Sequence, residues 1–434
     1  MFKTGAQMFL LVLLAGFFLL RESQEKPCAT VDEVFSAWIA VNGPGVTHPE
    51  TAPVTLVAID DSSVSGHHGP WTPLDYSLFA EGSQAFHSEV TAFTDILQWD
   101  SKSGTQGERQ KLVQYESILQ DSLLRSPKVL LAARLGLPED PQVIPPLQEV
   151  PLIRKVSGNI WAIPEWTVIE RQPKEEYRLP ATIGFVNLPE SSTPIQSVPL
   201  VLLYRGGVVP SLVLQAVVMR EKLSLDDVSV VLGSHIDVGG KLHIPIDESG
   251  RMRVNFGVPW TSIAFDDLVL AKNEADAKTK ITAPVEHMKG GITLLARTDA
   301  SSRTLSAGAA HKISEGELFA AAIATIQKQA FVRRVPIWFD FATIGVIALV
   351  SLWVPRRKKL TIFTVGILVI IAYGLAAMAV FASQSIWIPL VLPVGLILFV
   401  MAYRLVTPNL AKPETPAPAE TGEAPSPTEN SPAA

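Results

Sequence analysis

The apolar positions are not spread evenly along the chain. From Thr4 to Leu20 there is no charge, and AQMFLLVLLAGFFLL is almost wholly apolar. That length sits at the lower limit for a lipid-spanning helix. No small-x-small cleavage pattern precedes RESQEK, so residues 1–21 read as an uncleaved signal anchor. Apolar runs return at the far end. Ile337 to Val354 forms one run, with Asp340 near its start. PRRKK interrupts it, and Leu360 to Tyr403 is again free of charge. SQS at 383–385, Pro389 and Pro393 divide that stretch. The predicted spans are 337–354, 360–381 and 386–406, roughly 20 residues each.

Between these ends the rhythm is that of a folded α/β domain. PVTLVAIDD (53–61) is a continuous apolar run closed by two aspartates, the pattern of a strand covered on both faces. LDYSLFAEGSQAFH has helical spacing through Leu74, Leu78, Phe79 and Phe86. EVTAFTDILQW (89–99) reads as a strand or a short helix. ERQKLVQYESILQDSLL (108–124) is amphipathic, with Leu112, Tyr115, Leu119 and Leu123 on one side. KVLLAAR (128–134) is a second buried-type strand, and strand–helix–strand order implies α/β layering. The proline-rich stretch 136–180 reads as a long irregular excursion. TIGFVN (182–187), VPLVLLY (198–204) and GITLLAR (291–297) read as strands. Pro210 is placed to start a helix over 210–223, and KLHIPIDESGRMRVNF (241–256) reads as a hairpin about an ESG turn. Ser314 and Glu317 have capping-box spacing at the head of a closing helix. Its stripe is Phe319, Ile323, Ile326 and Phe331, and Pro336 disturbs it where the first C-terminal span begins. The fold class expected is therefore an α/β extracytoplasmic domain, a mixed sheet with covering helices, joined to α-helical transmembrane segments.

Charge orients this layout. Arg356, Arg357, Lys358 and Lys359 fill a very short loop, and such loops stay cytoplasmic. Both termini then lie inside, and residues 22–336 form one region outside the cytoplasmic membrane of a bacterial cell. Arg21, Arg333 and Arg334 fall on the outer side and oppose the rule; the four-charge loop decides. The tail 407–434 holds seven prolines and four glutamates with no large apolar residue after Leu410, and reads as a disordered cytoplasmic segment. A single cysteine, Cys28, excludes an internal disulfide. A net charge of −6 argues against nucleic acid.

The residues in this order resemble bacterial receptors with the second type of CHASE domain (cyclase- and histidine-kinase-associated sensory extracellular). VTLVAIDDSS followed by GPWTP resembles the family's opening strand, acidic pair and Trp-Pro turn. TIGFVN resembles its Gly-Phe-x-Asn strand, and VPSLVLQAV its Pro-Ser-Leu helix. HIPIDESGRMRVNFGVP resembles its Pro-x-Asp-x-x-Gly hairpin, and SEGELFAAAIATIQKQAFVRRVPIW its closing helix with the exit into the membrane. The resemblance covers about residues 30–405. Departures occur at LPESSTPIQS (188–197), WTPLDY (71–76) and GITLLARTDASSRTL (291–305), so no ligand contact carries over from those positions. Relatives commonly continue into a cyclase or kinase domain. This chain runs into the tail, so the resemblance implies a sensor acting through a separate protein.

Candidate chemistry is sparse. Asp60, Asp61 and Ser62 follow a buried strand, at the end where open α/β sheets place ligands. The plainer assignment, and the one favoured, is that Asp61 or Ser62 caps the next turn and Asp60 pairs within the fold. Trp71 reads as a lid or core aromatic, and Asn187 as a turn residue, with both kept as ligand candidates. His67 and His68 lack further donors, so no metal is expected. No nucleophile elbow, P-loop, zinc-protease or dinucleotide motif occurs, and neither catalysis nor a cofactor is expected. Two readings remain. One is a membrane receptor that relays a small-ligand or envelope signal to a partner. The other is a structural subunit of an envelope assembly.

Overall fold

The computed structural model describes residues 2–23, 31–32, 34–35, 50–66, 71–99, 105–138, 148–189, 195–306, 312–353 and 359–406. Cys28, the His67–His68 pair, residues 354–358 of the basic loop and the tail 407–434 lie outside them.

Seven strands build the main sheet: β1 (Val54–Ile59), β2 (Val90–Phe93), β3 (Val129–Gly136), β4 (Val168–Arg171), β5 (Ala181–Phe185), β6 (Thr261–Ala264) and β7 (Ile292–Arg297). Their order is β6-β1-β7-β2-β3, all parallel; β5 joins β3 in parallel and β4 antiparallel. Register sets the faces. Leu56 pairs with Leu294, Leu294 with Ala92, and Ala92 with Leu130. This row packs in one core, while its neighbours Val57, Leu295, Phe93 and Leu131 pack in another. Alternate residues of a strand point to opposite faces, so both faces of the sheet are covered, as its unbroken apolar strands require.

Helices Pro73–Ala85, Gln106–Arg125 and Phe265–Asp276 cover the face of Val57 and Phe93. Helices Leu212–Arg220 and Glu315–Gln327 cover the other. Local chemistry starts each. The Thr72 and Thr105 amides donate to the carboxylates of Asp75 and Glu108, at 2.7 and 2.6 Å. Ser314 forms the expected box with Glu317, its amide donating at 2.7 Å and its hydroxyl accepting the Glu317 amide at 3.2 Å. Pro210, expected to open a helix, instead ends the strand Gly207–Pro210, and Ser211 takes the cap by accepting the Leu214 amide at 3.3 Å.

Two further expectations need correction. The proline-rich stretch is not simply irregular: it holds β4, the strands Lys155–Ser157 and Glu165–Trp166, and the helical turn Glu175–Arg178. The predicted hairpin splits. Leu242–Pro245 pairs with His235–Val238, whereas Arg251–Arg253 pairs with Ser197–Pro199. Asp247 closes the turn, its carboxylate accepting the amides of Ser249 and Arg251 at 2.9 Å and its amide donating to the Arg251 carbonyl at 2.9 Å, and beyond that turn each arm takes its own partner strand.

The closing helix departs most from expectation. Phe319, Ile323 and Ile326 are buried, but so is every residue from Leu318 to Ile326. The helix therefore has apolar cover all round, not a single stripe. It ends at Gln327, and Phe331 lies beyond it. The Ala330 amide donates to the Thr325 carbonyl and the Gln329 amide to that of Ile326, both at 3.0 Å, with Gln329 at φ +51°. These are the paired bonds of a Schellman stop. The helix does not run on into the membrane.

The apolar helices are Phe2–Ser23, Ile337–Trp353, Lys359–Gln384 and Val391–Val406. Among the described residues, one segment, Ile362–Phe381, is long and apolar enough to cross a membrane by itself; the described parts Gln7–Arg21 and Trp338–Ser351 and the helix Val391–Val406 are shorter. Four comparable spans were expected. The last helix starts only after the non-helical residues 385–390, which leaves it 16 residues long. The three shorter helices pack together around Met8, Val12, Ile344, Ala348, Leu392 and Leu396.

Close approach of the closing helix to the sheet is open to test. A Cβ on Gly316 would lie 2.2 Å from the Ala296 Cβ. Gly316→Ala is expected to destabilise the full chain by about 1–3 kcal/mol through overpacking. Gly107→Ala, with nothing within 4 Å, should be neutral or slightly stabilising. Thermal unfolding in detergent measures both, and equal melting of the two variants would refute the packing argument.

Candidate functional site

The carboxyl ends of β1, β2 and β7 meet at one edge of the sheet, and each is followed within two residues by an aspartate: Asp60, Asp95 and Asp299. Parallel strands converge their ends in this way, and ligands commonly bind there. Here the acids are engaged by the protein itself. Asp60 accepts the Ser62 hydroxyl at 2.6 Å and the Ser63 amide at 2.9 Å, so Asp60, not Asp61 or Ser62, caps the turn Asp61–Gly66. Burial nudges its carboxyl up, but these hydrogen bonds outweigh that and hold it below the ordinary value. Asp61 accepts the Ala300 amide at 2.8 Å and ties β1 to the loop after β7. Ser62 is exposed.

Asp95 accepts the Tyr76 hydroxyl at 2.7 Å. Burial pushes its carboxyl up, against the pull of Tyr76 and Arg297. Arg297 reaches Asp299 with two nitrogens, at 3.2 and 3.3 Å, and the Ser301 hydroxyl donates to the same carboxylate. Burial raises Asp299, but those donors leave it below the usual carboxylate range. Trp71 packs edge-on against Phe265, ring centroids 4.8 Å apart, and its carbonyl accepts the Trp99 indole at 3.1 Å. Asn187 stands at the same edge, two residues past β5, but shares no bond with this network. Its side chain makes two 2.8 Å bonds to the backbone of Leu135, beside the register shift in β3. No group of three or more His, Cys, Asp or Glu poised for a metal occurs among the described residues.

Sequence reasoning reached the first aspartate pair and missed Tyr76, Asp95, Arg297 and Asp299. The signal was present in the repeated order of apolar strand, then Asp, at 60, 95 and 299.

A second constellation lies at the opposite end of the closing helix. The Asn255 amide donates to the Thr325 hydroxyl at 3.0 Å, and its side chain donates to the Ala330 carbonyl at 3.0 Å and the Ser385 hydroxyl at 3.4 Å. Beyond the Schellman stop the chain is extended. Arg333–Arg334 pairs in parallel with Ile386–Trp387, which lies between the second and third C-terminal apolar helices. The Trp387 ring carries two guanidinium groups, Arg253 at 4.5 Å and Arg334 at 5.5 Å. Arg334 also reaches the buried Asp340 at 3.2 Å. Asp32 accepts the amides of Leu390 and Val391 at 2.8 and 2.9 Å, at the head of the last helix. An aromatic between two apolar helices is expected at a membrane interface, yet its arginine partners cannot be read from SQSIWIP alone.

An α/β domain is thus closed by a buried helix and clasped to apolar helices, one of them long and apolar enough to cross a membrane. Residues 8–354 match the CHASE2 domain model, and the chain belongs to the CHASE2 family, an extracellular sensory domain family. No curated protein and no solved structure matches it.

The ion pair at the distal edge gives a signed pH dependence. Asp299 has a lowered folded pKa, so its contribution is full above the unfolded carboxylate value, about 3.9, and is lost as pH falls through the folded value. Asp299→Asn is expected to cost about 1–2 kcal/mol at neutral pH, discounted for the half-exposed Arg297. The gap to the parent should close in acid. Thermal melts between pH 3 and 7 measure it; a gap that stays constant would show that the charge is not responsible.

Proposed function

We propose that this chain is a multi-pass receptor of the bacterial cytoplasmic membrane. Its outer domain, about residues 22–336, senses a small ligand or an envelope state. Its apolar helices carry the change to a separate protein, and the tail faces the cytoplasm. The four-charge loop at 356–359 supports this orientation. Packing of the three shorter apolar helices on one another supports their reading as spans beside Ile362–Phe381. No catalytic step belongs to this reading.

The observation that carries it is a continuous line of contacts. Gly316, at the head of the closing helix, abuts Ala296 near the carboxyl edge of the sheet. The tail of the helix hydrogen-bonds to Asn255 through Thr325, and Asn255 reaches Ser385. The helix has 13 residues, so it bridges about 20 Å at 1.5 Å per residue. A ligand shifts such an element only if it binds the two positions unequally.

Topology is checked by a cysteine at exposed Ser234 in a Cys28→Ser background. It is expected to react with an impermeant reagent in cells with a permeabilised outer barrier and an intact inner membrane; reaction only after lysis would overturn the orientation. Coupling is checked with Trp387→Ala. The parent is expected to unfold its domain and helix bundle in one calorimetric transition. The variant should insert normally and split that transition in two. A single transition in the variant would defeat the relay. A partner held in fixed ratio whatever the stimulus would instead mark a structural envelope subunit.

A further inference from the structure

A cavity of about 530 Å³ opens at the foot of the outer domain, beside the exit of the closing helix. Four arginines line it: Arg251, Arg253, Arg333 and Arg334. They come from two directions. Arg251 and Arg253 are alternate residues of one strand and share a face, while Met252 between them is fully buried. Arg333 and Arg334 are the extended residues just before helix Ile337–Trp353. Asp247 is the one acid among the described lining residues, and its carboxylate already accepts the amides of Ser249 and Arg251.

Two of the arginines are fixed. Arg253 lies over the Trp387 ring and donates to Gln196 at 3.1 Å, and Arg334 pairs with Asp340. Arg251 and Arg333 form no ion pair among the described residues. The wall therefore presents more guanidinium than carboxylate, held partly rigid, in a space within the range of ligand pockets. A planar guanidinium fork matches the oxygens of a phosphate and binds them in pairs. Apolar Ile195 and Val332 border the same cavity and suit the carbon part of a phosphate ester.

We propose that this cavity is a phosphate site that takes the headgroup of an anionic phospholipid from the outer leaflet. Arg333 and Arg334 oppose the charge rule that orients the spans; a phosphate held at the interface accounts for their position. That the cavity faces the outer leaflet rests on the topology proposed above. The phosphate chemistry rests on the cavity alone.

The test uses the full chain in neutral detergent with two probes, dihexanoyl phosphatidylglycerol and inorganic phosphate, against chloride at matched ionic strength. Native mass spectrometry counts bound probe, and thermal shift gives the binding curve. Saturable binding of one phosphatidylglycerol per chain is expected. The pair Arg251→Gln and Arg333→Gln should weaken it at least tenfold, while Arg125→Gln leaves it unchanged. The pair Arg251→Lys and Arg333→Lys keeps the charge and removes the forks; it should weaken binding less, and it supplies the readout if the glutamine pair misfolds. Saturable, arginine-dependent binding of inorganic phosphate with phosphatidylglycerol refused supports the phosphate site and assigns it to a soluble source. Absence of saturable binding for both probes, or binding that both arginine pairs retain in full, overturns the proposal. None of these measurements reads the relay, so either idea can fail alone.

Discussion

The closing helix has to be covered on every side, and much of the architecture follows from that. Residues Leu318 to Ile326 are all buried, and a helix apolar all round is stable in water only inside a core. The main sheet covers one side through Leu56, Leu294 and Ala296. The other side needs a second layer, which the short strands between β5 and β6 supply with Val198 and Met252, joined by Val254 just past the second of them. Small residues set the spacing: Gly316 and the run Ala320–Ala322 let the backbone approach both neighbours closely. Cores packed this tightly do not deform gradually. A displacement of the helix must therefore move the sheet or the second layer with it.

This placement also separates the two ends of the domain. Glu315, at the head of the helix, is near Arg134 and Arg303, on the side of the carboxyl edge of the sheet. Lys328, just past its tail, pairs with Glu50 ahead of β1. The edge where α/β sheets usually hold ligands thus lies far from the apolar helices, and its carboxylates are occupied by Ser62, Tyr76, Arg297 and the Ala300 amide. The arginine-lined cavity lies at the near end. Carboxylates held by the protein's own donors gather at one pole and guanidinium groups line a cavity at the other, an asymmetry that the overall charge of −6 conceals.

Legibility in the sequence tracks how local each interaction is. β1 and β7 were legible because both are unbroken apolar runs, and Ser314 with Glu317 because the box spans only three residues. The hairpin at 241–256 misled because its two strands take separate partners: Leu242–Pro245 folds back on His235–Val238 just before it, while Arg251–Arg253 reaches Ser197–Pro199 more than 50 residues away. The closing helix misled for a related reason. Its pattern showed an apolar stripe, but alanines outside that stripe were also buried by a layer formed more than 60 residues earlier. At the candidate site the sequence reading reached Asp60 and Asp61 but not Asp95 or Asp299, nor the partners Tyr76 and the Ala300 amide, which come from other parts of the chain. The bond from Asn255 to Ser385 joins residues 130 apart and leaves no trace in either neighbourhood.

The break at Gln329 bears on the form the proposed relay would take. A helix continuous with Ile337–Trp353 would act on that helix alone, by tilt or rotation. The Schellman stop prevents this and places an extended segment at the junction. That segment hydrogen-bonds to the link between two other apolar helices: the Arg333 amide donates to the Ser385 carbonyl and the Val335 amide to that of Trp387, each at 3.1 Å. Two arginines then hold the Trp387 ring, one from the second layer and one from the exit segment itself. Under the proposed relay, a shift of the helix tail would act on three apolar helices together. For the proposed relay, rotation of one helix is then a poor description, and movement of the domain foot against the bundle fits these contacts better.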